Sequence, residues 1–170
     1  MRNTALPAGV REWQSGGRWM TSAAGRVFVR SGEGEGPTVL LLHGFPSSSY
    51  DYREMVQRLA GRSWLTMDFL GFGLSDKPRP HRYSLFEQAD LVEQVVTSNT
   101  TGPVVVLGHD MGASVTTELL ARDIDGTLSF DLRRAVLTNG SVILERASLR
   151  PSQKLLRSPL GAIASLLPNQ

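Results

Sequence analysis

The chain has 170 residues, 41% of them hydrophobic and 20% charged, with 17 Gly, 9 Pro and no Cys. That length suits one domain, and the even mixture of apolar and charged residues excludes a disordered chain. The absence of cysteine excludes a disulfide scaffold, a cysteine zinc site and a thiol nucleophile, and 18 basic against 16 acidic residues leave a net charge of +2, with no electrostatic footprint for nucleic acid.

The N-terminal stretch MRNTALPAGVREWQ lacks an apolar core of signal-peptide length. The longest apolar stretches, residues 39–42 and 160–167, fall far short of the roughly 20 residues that cross a bilayer. A soluble, cytoplasmic protein with no membrane span is expected. The near-helical basic set Arg146, Arg150, Lys154 and Arg157 is interrupted by Pro151 and reads as a solvated face.

Residues 18–21 and 26–30 read as two strands around an Ala24-Gly25 turn, expected to form an antiparallel edge. Gly-rich 31–37 reads as a loop. The continuous apolar run 38–42 fits a strand buried on both faces, as in a parallel sheet. Tyr52, Met55, Val56, Leu59 and Ala60 then recur with helical spacing, after a Ser48 or Ser49 cap and before a Gly61 stop. Residues 64–67 read as the next strand, ending at Asp68, and a loop follows over 69–82.

Ser84-Leu85-Phe86-Glu87 has the capping-box pattern, in which Ser and Glu satisfy two orphan amides reciprocally. Leu85, Ala89, Val92 and Val96 mark the apolar face of the helix it opens. A buried strand over 104–107, a helix through Val115, Leu119 and Leu120, and a strand over 135–137 complete the pattern. Alternating strands and helices predict an α/β fold: a mostly parallel sheet with right-handed crossovers and helices on both faces.

Between the strand at 104–107 and its helix stands Gly108-His109-Asp110-Met111-Gly112, with the Gly-x-nucleophile-x-Gly spacing of a nucleophile elbow. A sharp strand-to-helix turn throws the central side chain to the top of the sheet, and small neighbours leave room for it. It also places that side chain at a helix N-terminus, where amides and dipole favour an anion. A carboxylate here is already ionised and can displace at carbon to give an ester; a base is needed only afterwards, to activate water. The bland alternative is an aspartate that merely caps the helix.

Leu42-His43-Gly44-Phe45-Pro46 follows the first parallel strand. His-Gly after this strand resembles the oxyanion-hole turn of α/β-hydrolases, in which the backbone amides of Phe45 and Met111 would be the donors. His43 is expected to be structural, bonded to backbone. Asp68 and the glycines Gly71 and Gly73 match neither a dinucleotide fingerprint nor a phosphate loop, so Asp68 is expected to bind loop amides. No metal-ligand cluster is apparent and no cofactor is implied.

Together HGFPSSSYDYR, DFLGFGLSDKP and GHDMG resemble the α/β-hydrolase superfamily, and within it the epoxide hydrolase and haloalkane dehalogenase branch, whose nucleophile is Asp. DFLGFGLSDKPRPHRYSLFEQAD, with TNGSVILE later, is most similar to the mesoderm-specific transcript group. The resemblance implies an α/β-hydrolase fold that is incomplete at its C-terminal end. Residues 1–140 would be the N-terminal part of the core and 141–170 the entry to a helical cap. It implies Asp110 as nucleophile and the Phe45 and Met111 amides as oxyanion hole, with His43, Gly44, Gly108, His109 and Gly112 structural beside them.

Many dehalogenases carry Trp after the nucleophile and Asn after His-Gly to hold the halide. Met111 and Phe45 occupy those positions here, so the implied substrate is a small apolar electrophile, an epoxide first. In this branch the order is nucleophile, acid, then His as base. His43, His81 and His109 all precede Asp110. Glu145 is the nearest acid candidate, and Asn139 is not acidic. The alternative expectation is a non-catalytic or truncated member that acts as an interaction protein or self-associates through an unfinished sheet edge.

Overall fold

The computed structural model describes residues 6–140; the cap entry, Glu145 and the basic set at 146–157 lie outside the described residues. Among the described residues six strands form one sheet. They are β1 (Arg18–Ser22), β2 (Gly25–Gly32), β3 (Glu35–Leu42), β4 (Arg62–Met67), β5 (Val104–His109) and β6 (Leu132–Thr138), ordered β1-β2-β4-β3-β5-β6. β4, β3, β5 and β6 run parallel. β1 and β2 add an antiparallel edge, as the alternation at 26–30 predicts. The helices are α1 (Ala8–Ser15), α2 (Arg53–Arg58), α3 (Leu85–Thr97) and α4 (Met111–Ile124).

Successive side chains of a strand point to opposite faces, and β3 supplies both. Leu40 and Leu42 join α3 (Ala89, Val92, Val96) and α4 (Val115, Leu119) on one face. Leu41 joins Trp13, Phe28, Tyr52 and Val56 on the other. All three leucines are fully buried, which is why this strand reads as an unbroken apolar run.

Several boundaries differ from the sequence reading. The loop expected over 31–37 is mostly strand: β2 runs to Gly32 and β3 starts at Glu35. Gly36 at φ +76 lies where the pairing shifts register between Glu35 and Val39, so glycine there bends the strand instead of ending it. The helix expected from Tyr52 to Ala60 is a 3-10 turn over Ser49–Tyr52 followed by the six-residue α2. Leu85 leaves the apolar face of α3 and is 42% exposed, whereas Gln88 and Leu91 are buried.

The capping box closes one way only. Ser84 Oγ accepts the Glu87 amide at 3.1 Å, but the Glu87 carboxylate turns to His81 Nε2 at 2.8 Å. α1 was not anticipated. Its Trp13 is buried, donates from Nε1 to Ser49 Oγ at 3.2 Å, and lies 4.1 Å beneath the Arg30 guanidinium. α3 and α4 are tied by Arg122, which reaches Asp90, Glu93 and Glu118 at 2.6, 2.7 and 2.9 Å. Among the described residues no helix is long and apolar enough to cross a membrane.

Candidate active site

Register brings three loops to one level. Leu42, the last residue of β3, pairs with Gly108 of β5 on one side and Met67 of β4 on the other. The turns that follow (His43-Gly44-Phe45, His109-Asp110 and Asp68-Phe69) therefore leave the sheet side by side. The chain passes from β3 to β4 in one direction and places β5 on the opposite side of β3. That reversal makes the crevice beyond these strand ends a switch point, where open α/β sheets bind ligands.

Asp110 joins β5 to α4 at φ +50, ψ −109, a region that side chains other than glycine seldom enter. The turn is held from both ends. The Asp110 amide donates to the Thr138 carbonyl at 3.0 Å, and its carbonyl accepts from Ala113 at 3.0 Å and Ser114 at 3.3 Å. A Cβ at Gly108 would collide with Thr116 Oγ1 and lie 2.5 Å from the Gly112 carbonyl oxygen. One at Gly112 would collide with the Leu42 carbonyl oxygen and lie 2.8 Å from that of His43. The backbone itself thus fills the space that side chains would need at both flanking positions.

The Asp110 carboxylate makes no capping bond to α4. Instead its Oδ2 accepts the Phe45 amide at 2.9 Å, across 65 residues of sequence. Gly44 permits this approach: a Cβ there would lie 2.8 Å from Asp110 Cβ and 2.9 Å from His109 Nδ1. The Met111 amide, first in α4, donates to no acceptor among the described residues. One expected donor is therefore seated on the carboxylate, and the other is uncommitted among the described residues.

His43 is 1% exposed. Its Nε2 accepts the Phe69 amide at 3.0 Å, so Nδ1 carries the proton and donates to the Gly44 carbonyl at 2.9 Å. Burial holds its pKa below the ordinary value, outweighing the Gly44 bond and the charges of Asp68 and Asp51. The ring packs against Phe69 and Phe72 at 4.7 and 5.8 Å between centroids. His43 is thus a neutral brace between the Phe45 turn and the loop after β4.

Asp68 binds loop amides, with Oδ1 on Ser49 at 2.7 Å and Oδ2 on Leu74 at 2.6 Å. None of the three histidines hydrogen-bonds to the Asp110 carboxylate. His43 is committed as above, His81 pairs with Glu87, and His109 Nε2 accepts Asn139 Nδ2 at 3.2 Å. The Asn139 contact was missed from sequence; Asn139 at φ +52 follows the β6 strand that pairs with β5. Also unforeseen is a cleft of about 330 Å³ bordered by Met111, Phe72, Tyr83, Leu85, Lys77 and Arg79.

The alpha/beta hydrolase fold family matches residues 37–155. LipZ of Mycobacterium tuberculosis is 73% identical over 158 residues, covering 93% of this chain and 55% of that protein. The mesoderm-specific transcript homolog protein of Homo sapiens is 38% identical over 162 residues, covering 89% of this chain and 48% of that one. The solved epoxide hydrolase CorEH superposes with a TM-score of 0.63 at 24% identity, over 83% of this chain and 48% of that chain. The chain spans about half the length of the curated relatives it matches.

Proposed function

We propose that this chain, which belongs to the α/β-hydrolase fold family, supplies the nucleophile and oxyanion hole of a hydrolase that opens small apolar epoxides through an Asp110 ester. The observation that carries this reading is the Phe45 amide on Asp110 Oδ2 at the strained elbow. An aspartate placed merely to cap α4 would bond to the amides of α4, and it does not.

With Oδ2 held by Phe45, the other carboxylate oxygen is the one free to attack. It bonds to an epoxide carbon as that carbon's bond to the ring oxygen breaks. The ring oxygen takes a proton from water, leaving a hydroxyalkyl ester on Asp110. Oδ2 becomes the ester carbonyl oxygen, already at the Phe45 amide and next to that of Met111. When water attacks the carbonyl carbon, both amides stabilise the developing oxyanion; one such donor is worth roughly 3 kcal/mol. None of the three histidines hydrogen-bonds to the Asp110 carboxylate, and His43 and His81 are committed to other partners. An epoxide is favoured over a halide because neither the Met111 nor the Phe45 side chain can donate a hydrogen bond to a departing halide.

Intact-protein mass spectrometry after incubation with styrene oxide tests the reading. One adduct per chain is expected, absent from Asp110→Asn. An unmodified wild-type protein, or the same adduct in Asp110→Asn, would overturn it.

A further inference from the structure

The Phe45 N–H that faces Asp110 belongs to the same planar peptide unit as the Gly44 carbonyl. Whatever grips the carbonyl therefore fixes the direction of the N–H. Three donors converge on that one oxygen. The Ser47 hydroxyl reaches it at 3.0 Å, the Ser47 amide at 3.1 Å and His43 Nδ1 at 2.9 Å. A carbonyl oxygen has two lone pairs, so this acceptor is fully used. At the other end of the same amide, the N–H donates to Asp110 Oδ2 at 2.9 Å.

Each gripping group is itself held. His43 is buried, and the Phe69 amide on its Nε2 leaves the proton at Nδ1. Gly44 is buried as well. Pro46 has no N–H to offer, so the bonds from Ser47 are what close the turn. Two residues beyond Ser47, Ser49 is fully buried. Its amide donates to Asp68 Oδ1 at 2.7 Å, and its hydroxyl accepts Trp13 Nε1 at 3.2 Å. α1 and the loop after β4 thus anchor the segment from which Ser47 reaches back. Hydrogen bonds in series polarise one another, and more so away from water. Donors on the Gly44 carbonyl therefore make the Phe45 N–H a stronger donor.

A serine that bonds back three residues is a common turn device, and by itself stabilises only its loop. Here the peptide it bonds is the one that carries a donor to Asp110. We propose that Ser47 is a positioning residue: with His43 it clamps the Gly44 carbonyl, and so aims and polarises the Phe45 N–H toward Asp110. This deepens the reading of Asp110 and rests on it, because the clamped N–H is the donor to the oxyanion of the ester.

Ser47→Ala removes the hydroxyl and leaves the backbone amide and His43 in place, whereas Ser47→Thr keeps a hydroxyl. In the amide proton–nitrogen correlation spectrum of the protein without ligand, the Phe45 proton is expected to move upfield in Ser47→Ala and to return in Ser47→Thr. With styrene oxide, Ser47→Ala is expected to lose about fivefold in the limiting rate of adduct formation, the scale of one neutral hydrogen bond, at an unchanged half-saturating concentration. An unmoved Phe45 proton, or a shift that Ser47→Thr does not restore, would overturn the proposal. A moved and restored Phe45 proton in a chain that forms no adduct would sustain the clamp and overturn the Asp110 ester. An adduct on Asp110 formed equally fast by wild type and Ser47→Ala would do the reverse.

Discussion

At Asp110 the backbone holds a positive φ, and Gly44, Gly108 and Gly112 permit the crowding around it, since a Cβ at any of the three would lie within 3 Å of neighbouring atoms. Gly44→Ala places a methyl 2.8 Å from Asp110 Cβ and 2.9 Å from His109 Nδ1, so the Phe45 turn must back away from the carboxylate. The expected cost is about 1–3 kcal/mol in stability, with roughly a hundredfold loss in the rate of adduct formation. Urea unfolding and timed mass spectra measure the two separately, and an unchanged rate would contradict the assignment of the turn.

His43 gives a pH signature at the same scale. Burial holds its pKa below the ordinary value of about 6.5, so the unfolded chain binds a proton that the folded chain refuses. Its contribution to stability is complete above that value and is lost as pH falls from there toward the folded value. Between about pH 7.5 and 5.5 the wild type is expected to lose stability to urea more steeply than His43→Gln. Parallel slopes would show that His43 does not titrate as the buried brace described.

Among the elements, α3 and the β5–α4 junction do most to place the site. α3 starts from the Ser84 cap, and Ser84→Ala is expected to cost about 1 kcal/mol in urea unfolding; a change near zero would mean the His81–Glu87 pair alone holds that end. Arg122 fastens α3 to α4. Burial would raise the Glu93 carboxyl, but bonds from Ser129 and Arg122 outweigh it and hold the pKa low.

The elements that sequence reading located well are those set by local chemistry. Ser84 is a cap from its local sequence, and the alternation over 104–137 follows from apolar runs broken by Gly and polar residues. Those it missed depend on distant partners. α1 has eight residues including Gly9, too short and weak to form alone, and its Trp13 docks on Ser49, which lies 36 residues away. Glu87 satisfies the capping pattern, yet His81 competes for its carboxylate. Gly36 and Pro37 at the start of β3 resemble a loop until β4 and β5 pair with the strand.

At the scale of the whole described sheet, the strand order places the proposed nucleophile, Asp110, against the Phe45 turn. Phe45 and Asp110 are far apart in sequence, and the parallel pairing of β3 with β5 in the register Leu42–Gly108 brings them to a hydrogen bond. The sharp strand-to-helix turn at Asp110 was legible because its glycine spacing is dictated by backbone crowding. The cleft was not, since Met111, Phe72 and Arg79 meet only after α3 packs beside the loop that follows β4. Cores on both faces of the sheet, one with α3 and α4 and one with Trp13, Tyr52 and Val56, hold that register fixed.

Locating the styrene oxide adduct within the chain tests this account most directly. Asp110 and His109 are adjacent nucleophiles, and fragmentation of the proteolytic peptide that contains both separates them. The account predicts modification on Asp110 as an ester that alkaline hydroxylamine removes. Modification on His109, resistant to hydroxylamine and retained in Asp110→Asn, would contradict it.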